Sequence, residues 1–76
     1  MALSEIEKQK LIKKMDRKRD TLKNATKRYR TICQSVYRVV DAYDDAKDQM
    51  KEAGLWGDWC KKNGYAFGHD ASDFFA

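Results

Sequence analysis

The sequence predicts an all-α fold built on one long heptad-patterned helix, which is followed by a short helix and an aromatic C-terminal tail. Three observations predict it: proline is absent, all four glycines lie at or beyond residue 54, and apolar side chains recur every seven residues. Without helix breakers in its first two thirds, the chain favours long uninterrupted helix. Its length of 76 residues predicts one domain, residues 1–76.

The start of the long helix is marked by a capping sequence. Ser4 and Glu7 fit the S-x-x-E capping box, in which the hydroxyl accepts from a backbone N–H three residues later. The sequence therefore predicts that the helix begins at Ser4.

A heptad seam runs along this helix. From residue 11 to residue 53, 12 of 13 seam positions are apolar or Tyr, with Lys18 as the one charged exception. A strict seven-residue repeat is typical of coiled coils. We expect the residues after 53 to be too few to cover the seam, which predicts a homodimer whose self-association seam is Met15, Leu22, Tyr29, Ile32, Val36, Val39, Tyr43 and Met50.

The ends of the elements follow from the glycines. The long helix is predicted over 4–53, continuous or with a hinge near 20–24, where Asp20, Thr21 and Asn24 are poor helix formers. Gly54 is placed to end it, and Asn63-Gly64 to end a short helix over 55–63. The tail spans 64–76, where Asp70 could cap a final turn, Ala71–Phe75.

The aromatic residues are concentrated near the C-terminus. Six of the nine lie in the last 21 residues, a density that requires a covering surface. One interpretation is that the rings fold back on the long helix as a small core. The other is a partner-binding surface, since Trp and Tyr are favoured in binding hot spots; its candidates are Trp56, Trp59, Tyr65, Phe67, Phe74 and Phe75.

One stretch of sequence carries a family resemblance. A helix end is indicated by Ala46-Lys47, with Met50 three residues after Lys47. A G-x-W-x-x-W motif follows it, in Gly54-Leu55-Trp56-Gly57-Asp58-Trp59. Over about residues 36–75 this resembles a domain of unknown function carried by phages and plasmids. The resemblance implies a mobile-element origin. It does not carry over a base-reading role, because the helix that would enter DNA is nearly absent.

Charge is divided unequally between the two halves of the chain. Residues 1–40 carry 12 Lys/Arg against 4 Asp/Glu, a balance of +8, whereas residues 41–76 have a balance of −4. The basic half suggests either a nucleic-acid partner or pairing with the acidic half of a second, antiparallel copy. Its candidate nucleic-acid-binding residues are Lys10, Lys13, Lys14, Arg17, Lys18, Arg19, Lys23, Lys27, Arg28 and Arg30.

Catalytic, metal and cofactor sites are not predicted. His69 could pair with Cys33 or Cys60, but no orienting group accompanies them, and their spacing does not suit a metal. The cysteines are read as reduced and inert in a cytoplasmic setting. The N-terminus lacks the order of a signal peptide, and no apolar run approaches a membrane span.

Together these features predict a small non-enzymatic binding module. The first hypothesis is a phage or mobile-element accessory protein, working in the host cytoplasm, that binds and modulates or inhibits a host protein. One alternative is a nucleic-acid-binding protein that uses the basic N-terminal helix, and another is a structural coiled-coil scaffold.

Overall fold

The computed structural model describes residues 4–75, and these residues contain helices but no strands. Three α-helices follow one another: α1 over Glu5–Thr26, α2 over Tyr37–Glu52 and α3 over Trp56–Asn63. Two short 3-10 helices accompany them, at Gln34–Val36 and Ala71–Phe75. The all-α class, the long first helix, the short later helix and the packed aromatic C-terminal segment are confirmed.

The first helix begins where the capping sequence places it. The Glu7 backbone N–H donates to Ser4 Oγ at 3.2 Å, so Ser4 is the N-cap. Acidic Glu5 and Glu7 lie in the first turn, where the helix dipole favours negative charge.

The long helix predicted over 4–53 is divided into α1 and α2, and the division lies at 27–36 rather than at the hinge expected near 20–24. Near the end of α1, Thr26 Oγ1 donates to the Lys23 carbonyl at 2.7 Å, a local bond of the kind that competes with helical hydrogen bonding. Beyond it, Thr31 and Ile32 are β-branched and stiff in a helix. Turning here allows α2 to run back along α1, and Lys14 Nζ donates to Gln49 Oε1 at 3.1 Å across the pair.

The heptad seam is covered by the chain itself. Met15 and Leu22 of α1 are fully buried against Tyr43 and Met50 of α2, and burying each such side chain contributes about 1.5–3 kcal/mol. A second copy is therefore not needed to cover these residues, and the predicted homodimer loses that support. Val36 is also buried and Val39 half-buried.

Two predicted seam residues lie outside the core. Tyr29 is 37% and Ile32 39% exposed, because both fall in the connection between α1 and α2, where the helical repeat no longer determines which side chains face inward.

Glycines end the second and third helices as predicted. Gly54 and Gly64 have φ of 71° and 74°, in the left-handed region that glycine enters without steric cost. The N–H after each one reaches back to the helix: Leu55 N to the Met50 carbonyl at 2.9 Å, and Tyr65 N to the Cys60 carbonyl at 2.8 Å. These bonds satisfy carbonyls that the helix ends leave unpaired.

Candidate functional site

The outer face of α1 carries a line of basic side chains. Lys10, Lys13 and Arg17 are exposed, and at 3.6 residues per turn their spacing places them on one side of the helix. The buried residues Met15 and Leu22 lie on the opposite side. Lys10 and Arg17 are about 10 Å apart along the axis. We call Lys10, Lys13 and Arg17 the basic stripe.

Among residues 4–75, the basic stripe makes no ion pair. Within residues 4–75, the ion pairs shorter than 4.0 Å join Lys8 to Glu5, Arg19 to Asp16 and Asp20, and His69 to Asp73. None involves the stripe. Its three positive charges therefore face solvent, where they are open to an anionic partner.

The other predicted nucleic-acid-binding residues divide by exposure. Arg19 is held inside the fold: its guanidinium bonds Asn63 Oδ1, pairs with Asp16 at 3.5 Å and lies over the Trp59 ring at 5.8 Å. Its assignment to a binding surface is corrected on that ground. Lys18 is half-buried because it occupies a seam position, whereas the remaining members are exposed, namely Lys14, Lys23, Lys27, Arg28 and Arg30.

The outer face of α2 is acidic. Asp41, Asp45, Asp48 and Glu52 are all exposed and follow the helical repeat, so that they lie on one side. The buried residues Tyr43 and Met50 occupy the other side. We call the four carboxylates the acidic stripe. The unequal charge of the two halves of the sequence thus appears as two separate surfaces.

The tryptophans proposed for partner binding lie in the core. Trp56 and Trp59 are 2% and 3% exposed, and both indole N–H groups are satisfied internally. Trp59 Nε1 donates to Asp16 Oδ1 at 2.9 Å, and Trp56 Nε1 donates to the Phe67 carbonyl at 2.9 Å. Their partner-binding assignment is wrong, because buried and fully bonded rings hold α3 against α1 and the tail. Tyr65, Phe74 and Phe75 are half-buried against the same core.

His69 occupies the centre of this aromatic cluster. Its ring stacks on Tyr65 with centroids 4.3 Å apart and meets Phe74 edge to face. Tyr43 Oη lies 2.7 Å from Nε2 and Asp73 Oδ2 lies 3.3 Å from Nδ1. Burial lowers the pKa of His69, although the charges of Asp73 and Asp70 oppose that shift. Nothing in the sequence around His69 indicates that the imidazole would be buried.

Phe67 is the one proposed partner-binding aromatic that stays outside. Its ring is 72% exposed and lies over Gly57 of α3, where a Cβ would stand 2.7 Å from the ring. Beside it opens a shallow groove of about 820 Å³ that includes Lys51, Lys61 and the edge of Trp56. The lining of the groove combines apolar and aromatic groups with these two lysines and the carboxylate of Asp58.

The cysteines do not meet His69 as a reactive pair. Cys60 is 1% exposed, and burial raises the pKa of its thiol, which disfavours the nucleophilic thiolate. Cys33 is half-buried, and both thiols are unbonded to one another. Among residues 4–75, no group of three His, Cys, Asp or Glu side chains is arranged to hold a metal ion.

No helix in the described part of the chain has both the length and the apolar character needed to cross a membrane. Compared with family models, curated proteins and solved structures, the chain has no match in any of the three.

Proposed function

We propose that this chain is a non-enzymatic binding protein that holds the phosphate backbone of nucleic acid along the outer face of α1. The observation that carries the proposal is the basic stripe, Lys10, Lys13 and Arg17, which is exposed and makes no ion pair with any carboxylate in the described part of the chain. A line of cations on a rigid helix neutralises successive phosphates and releases their counterions, which drives association.

Other exposed cations extend the same surface. Lys14 borders the stripe, and Lys27 and Arg28 follow the end of α1. Reading a base sequence requires side chains that enter a groove and bond to base edges, and no observation identifies such side chains on this surface. The proposal is therefore limited to backbone contacts, which position a protein on nucleic acid without selecting a sequence.

The test is fluorescence anisotropy with a labelled DNA duplex and a labelled single strand at about 50 mM and about 200 mM salt. The variant K10E/K13E/R17E is expected to lose binding, because it reverses the stripe. The variant K51E/K61E/K62E makes the same change in net charge at exposed lysines elsewhere, so it is the matched control and is expected to retain binding. Equal losses in the two variants, or no binding by the wild type at the lower salt, would contradict the proposal.

A second candidate function is supported by the groove beside Phe67. An exposed aromatic ring beside an apolar groove suits a protein partner. The groove has two lysines, Lys51 and Lys61, against one carboxylate, Asp58, and this balance favours an acidic partner. A host protein as that partner, and the mobile-element origin that the sequence resemblance implies, stay predictions.

The test of this second function is affinity capture from nuclease-treated host lysate. Phe67→Ser is expected to lose a protein that the wild type retains. Tyr37→Ser, which changes another exposed aromatic at 53% exposure, is the matched control and is expected to retain it. Identical captured sets for all three proteins would remove the groove as the contact surface.

A further inference from the structure

The basic stripe on α1 and the acidic stripe on α2 have complementary spacing. Going up α1, the intervals from Lys10 to Lys13 to Arg17 are three and four residues. Going down α2, the intervals from Asp48 to Asp45 to Asp41 are also three and four. If the two helices ran antiparallel with their outer faces in contact, each cation would face one carboxylate.

The match continues through a pair of reversed sign. One step further in the same register, Asp20 of α1 would face Arg38 of α2, and both are exposed. Asp20 Oδ1 already accepts from Arg19 Nε at 3.1 Å, so Oδ2 is the oxygen left for Arg38. Beyond the opposite end the match stops, because Glu52 would face Ile6. Four consecutive facing pairs thus have opposite charges. In the fourth pair the acid lies on α1 and the base on α2, the reverse of the first three pairs. A general excess of bases on one face and acids on the other would not produce this reversed fourth pair.

The two faces cannot meet within one molecule. Each lies on the side of its helix away from the seam residues, and α1 and α2 already pack through those residues. The acidic stripe also lacks an internal cation: none of its four carboxylates has an ion pair within the described residues. Only another molecule can supply the contact.

We propose that a second copy of this chain is the partner of these faces, with α1 of one copy lying antiparallel on α2 of the next. The facing pairs are Lys10 with Asp48, Lys13 with Asp45, Arg17 with Asp41 and Asp20 with Arg38. The contact is heterologous, because it joins two different surfaces of the chain. In a pair of molecules, one copy still has a free acidic stripe and the other a free basic stripe, so each can bind a further molecule. The pairing does not require nucleic acid, but it uses the three cations that the proposed phosphate contacts use, so the two contacts compete.

Such a contact is weak and depends on salt. Exposed ion pairs each contribute little and are screened as ionic strength rises. Sedimentation velocity at about 0.01 M and about 0.15 M salt spans a threefold to fourfold change in screening length. The wild type is expected to sediment faster with rising protein concentration at the lower salt and as a monomer at the higher salt. Monomers under both conditions would overturn the proposal.

A charge exchange tests the register. Asp20→Arg and Arg38→Asp each place like charges opposite one another, and each is expected to weaken self-association about 2- to 5-fold. The double variant D20R/R38D restores an opposite pair with the net charge of the wild type, and it is expected to return within about twofold of the wild-type constant. A double variant as weak as the worse single variant would overturn the assigned register.

A control within the acidic stripe separates register from overall charge. Asp45→Lys and Glu52→Lys make the same change in net charge on the same face, but only Asp45 has a cation opposite it. Asp45→Lys is expected to weaken association about 2- to 5-fold, whereas Glu52→Lys is expected to weaken it less. Equal effects of the two would contradict the pairing. Circular dichroism of each variant shows that α1 and α2 are retained.

Discussion

Tyr43 and His69 meet in the buried centre of the molecule, with Tyr43 Oη 2.7 Å from His69 Nε2. The contact joins α2 to the tail, and Asp73 lies at the other ring nitrogen, 3.3 Å from Nδ1. A carboxylate only accepts hydrogen bonds, so the neutral ring fits this site with its proton on Nδ1 and with Tyr43 donating to Nε2. Burial also raises the pKa of the Tyr43 phenol above its usual 10.0, which keeps that donor protonated.

The first prediction is that stability falls in mild acid because of His69. Burial lowers the pKa of the folded imidazole below its ordinary value of 6.5, so the unfolded chain binds the proton more readily. Stability is therefore complete above about pH 6.5 and is lost as pH falls from there toward the folded pKa.

Urea denaturation at about pH 7.5 and about pH 5.5 measures the effect. His69 is the only histidine in the sequence, so His69→Gln is a clean control and is expected to remove most of the difference. The depressed pKa of Asp70 acts only below its ordinary 3.8 and does not interfere. A wild-type stability that is equal at the two pH values would contradict the prediction.

The second prediction separates core aromatics from the exposed one. Trp56→Ala and Trp59→Ala each remove a buried ring and are expected to destabilise the fold by about 3–5 kcal/mol. Phe67→Ala removes a ring that is 72% exposed and is expected to cost less than about 1 kcal/mol. Chemical denaturation followed by circular dichroism measures all three, and similar losses for Phe67 and the tryptophans would contradict the assignment.

The third prediction concerns the hydrogen bond between α3 and α1. Trp59→Phe keeps a large ring but removes the N–H that donates to Asp16 Oδ1, and it is expected to cost about 1–2 kcal/mol. Asp16→Asn keeps an acceptor oxygen at the same place and is expected to cost less. Because the Asp16 side chain is 42% exposed, water can partly replace the bond. Equal losses of stability in the two variants would show that the hydrogen bond from Trp59 to Asp16 is not what stabilises the fold here.

The fourth prediction uses Gly57 to move Phe67 without unfolding α3. A Cβ at residue 57 would stand 2.7 Å from Phe67 Cζ, the far end of a mobile side chain. Gly57→Ala is therefore expected to displace the ring and to leave stability equal or higher by up to about 1 kcal/mol, since Ala is the better helix former. Changed NMR shifts of the Phe67 ring with an unchanged unfolding midpoint would support this. A marked loss of stability would show that the ring cannot move.

Much of the fold could be predicted because local signals decide it. Ser4, Gly54 and Gly64 act as caps in the structure as their residue types predict, and the Asp70 carboxylate accepts from the Ser72 N–H at 2.9 Å in the last turn. The break after Thr26 could not be predicted in the same way. Seam residues such as Met15 and Tyr43 would be buried both in a paired continuous helix and in two helices folded together. The heptad repeat therefore does not distinguish the two arrangements.

The candidate site was only partly predictable for a related reason. Lys13 and Arg17 are basic in any fold, but only the packing of α1 shows that they face outward while Arg19, two residues further, faces the core. Likewise, the composition near the C-terminus does not show that Trp59 is buried and Phe67 exposed. Those differences depend on contacts between distant parts of the chain.

The central claim is that the basic stripe binds the phosphate groups of nucleic acid, and the salt dependence of DNA binding tests it most directly. Each phosphate contact contributes about 0.9 to the slope of log affinity against log salt for a duplex. Arg17→Gln removes one such contact and is predicted to reduce the size of the slope by about 0.9. Lys62 is an exposed lysine of α3, and Lys62→Gln is predicted to leave the slope unchanged. A slope that is the same for the wild type and Arg17→Gln would contradict the claim.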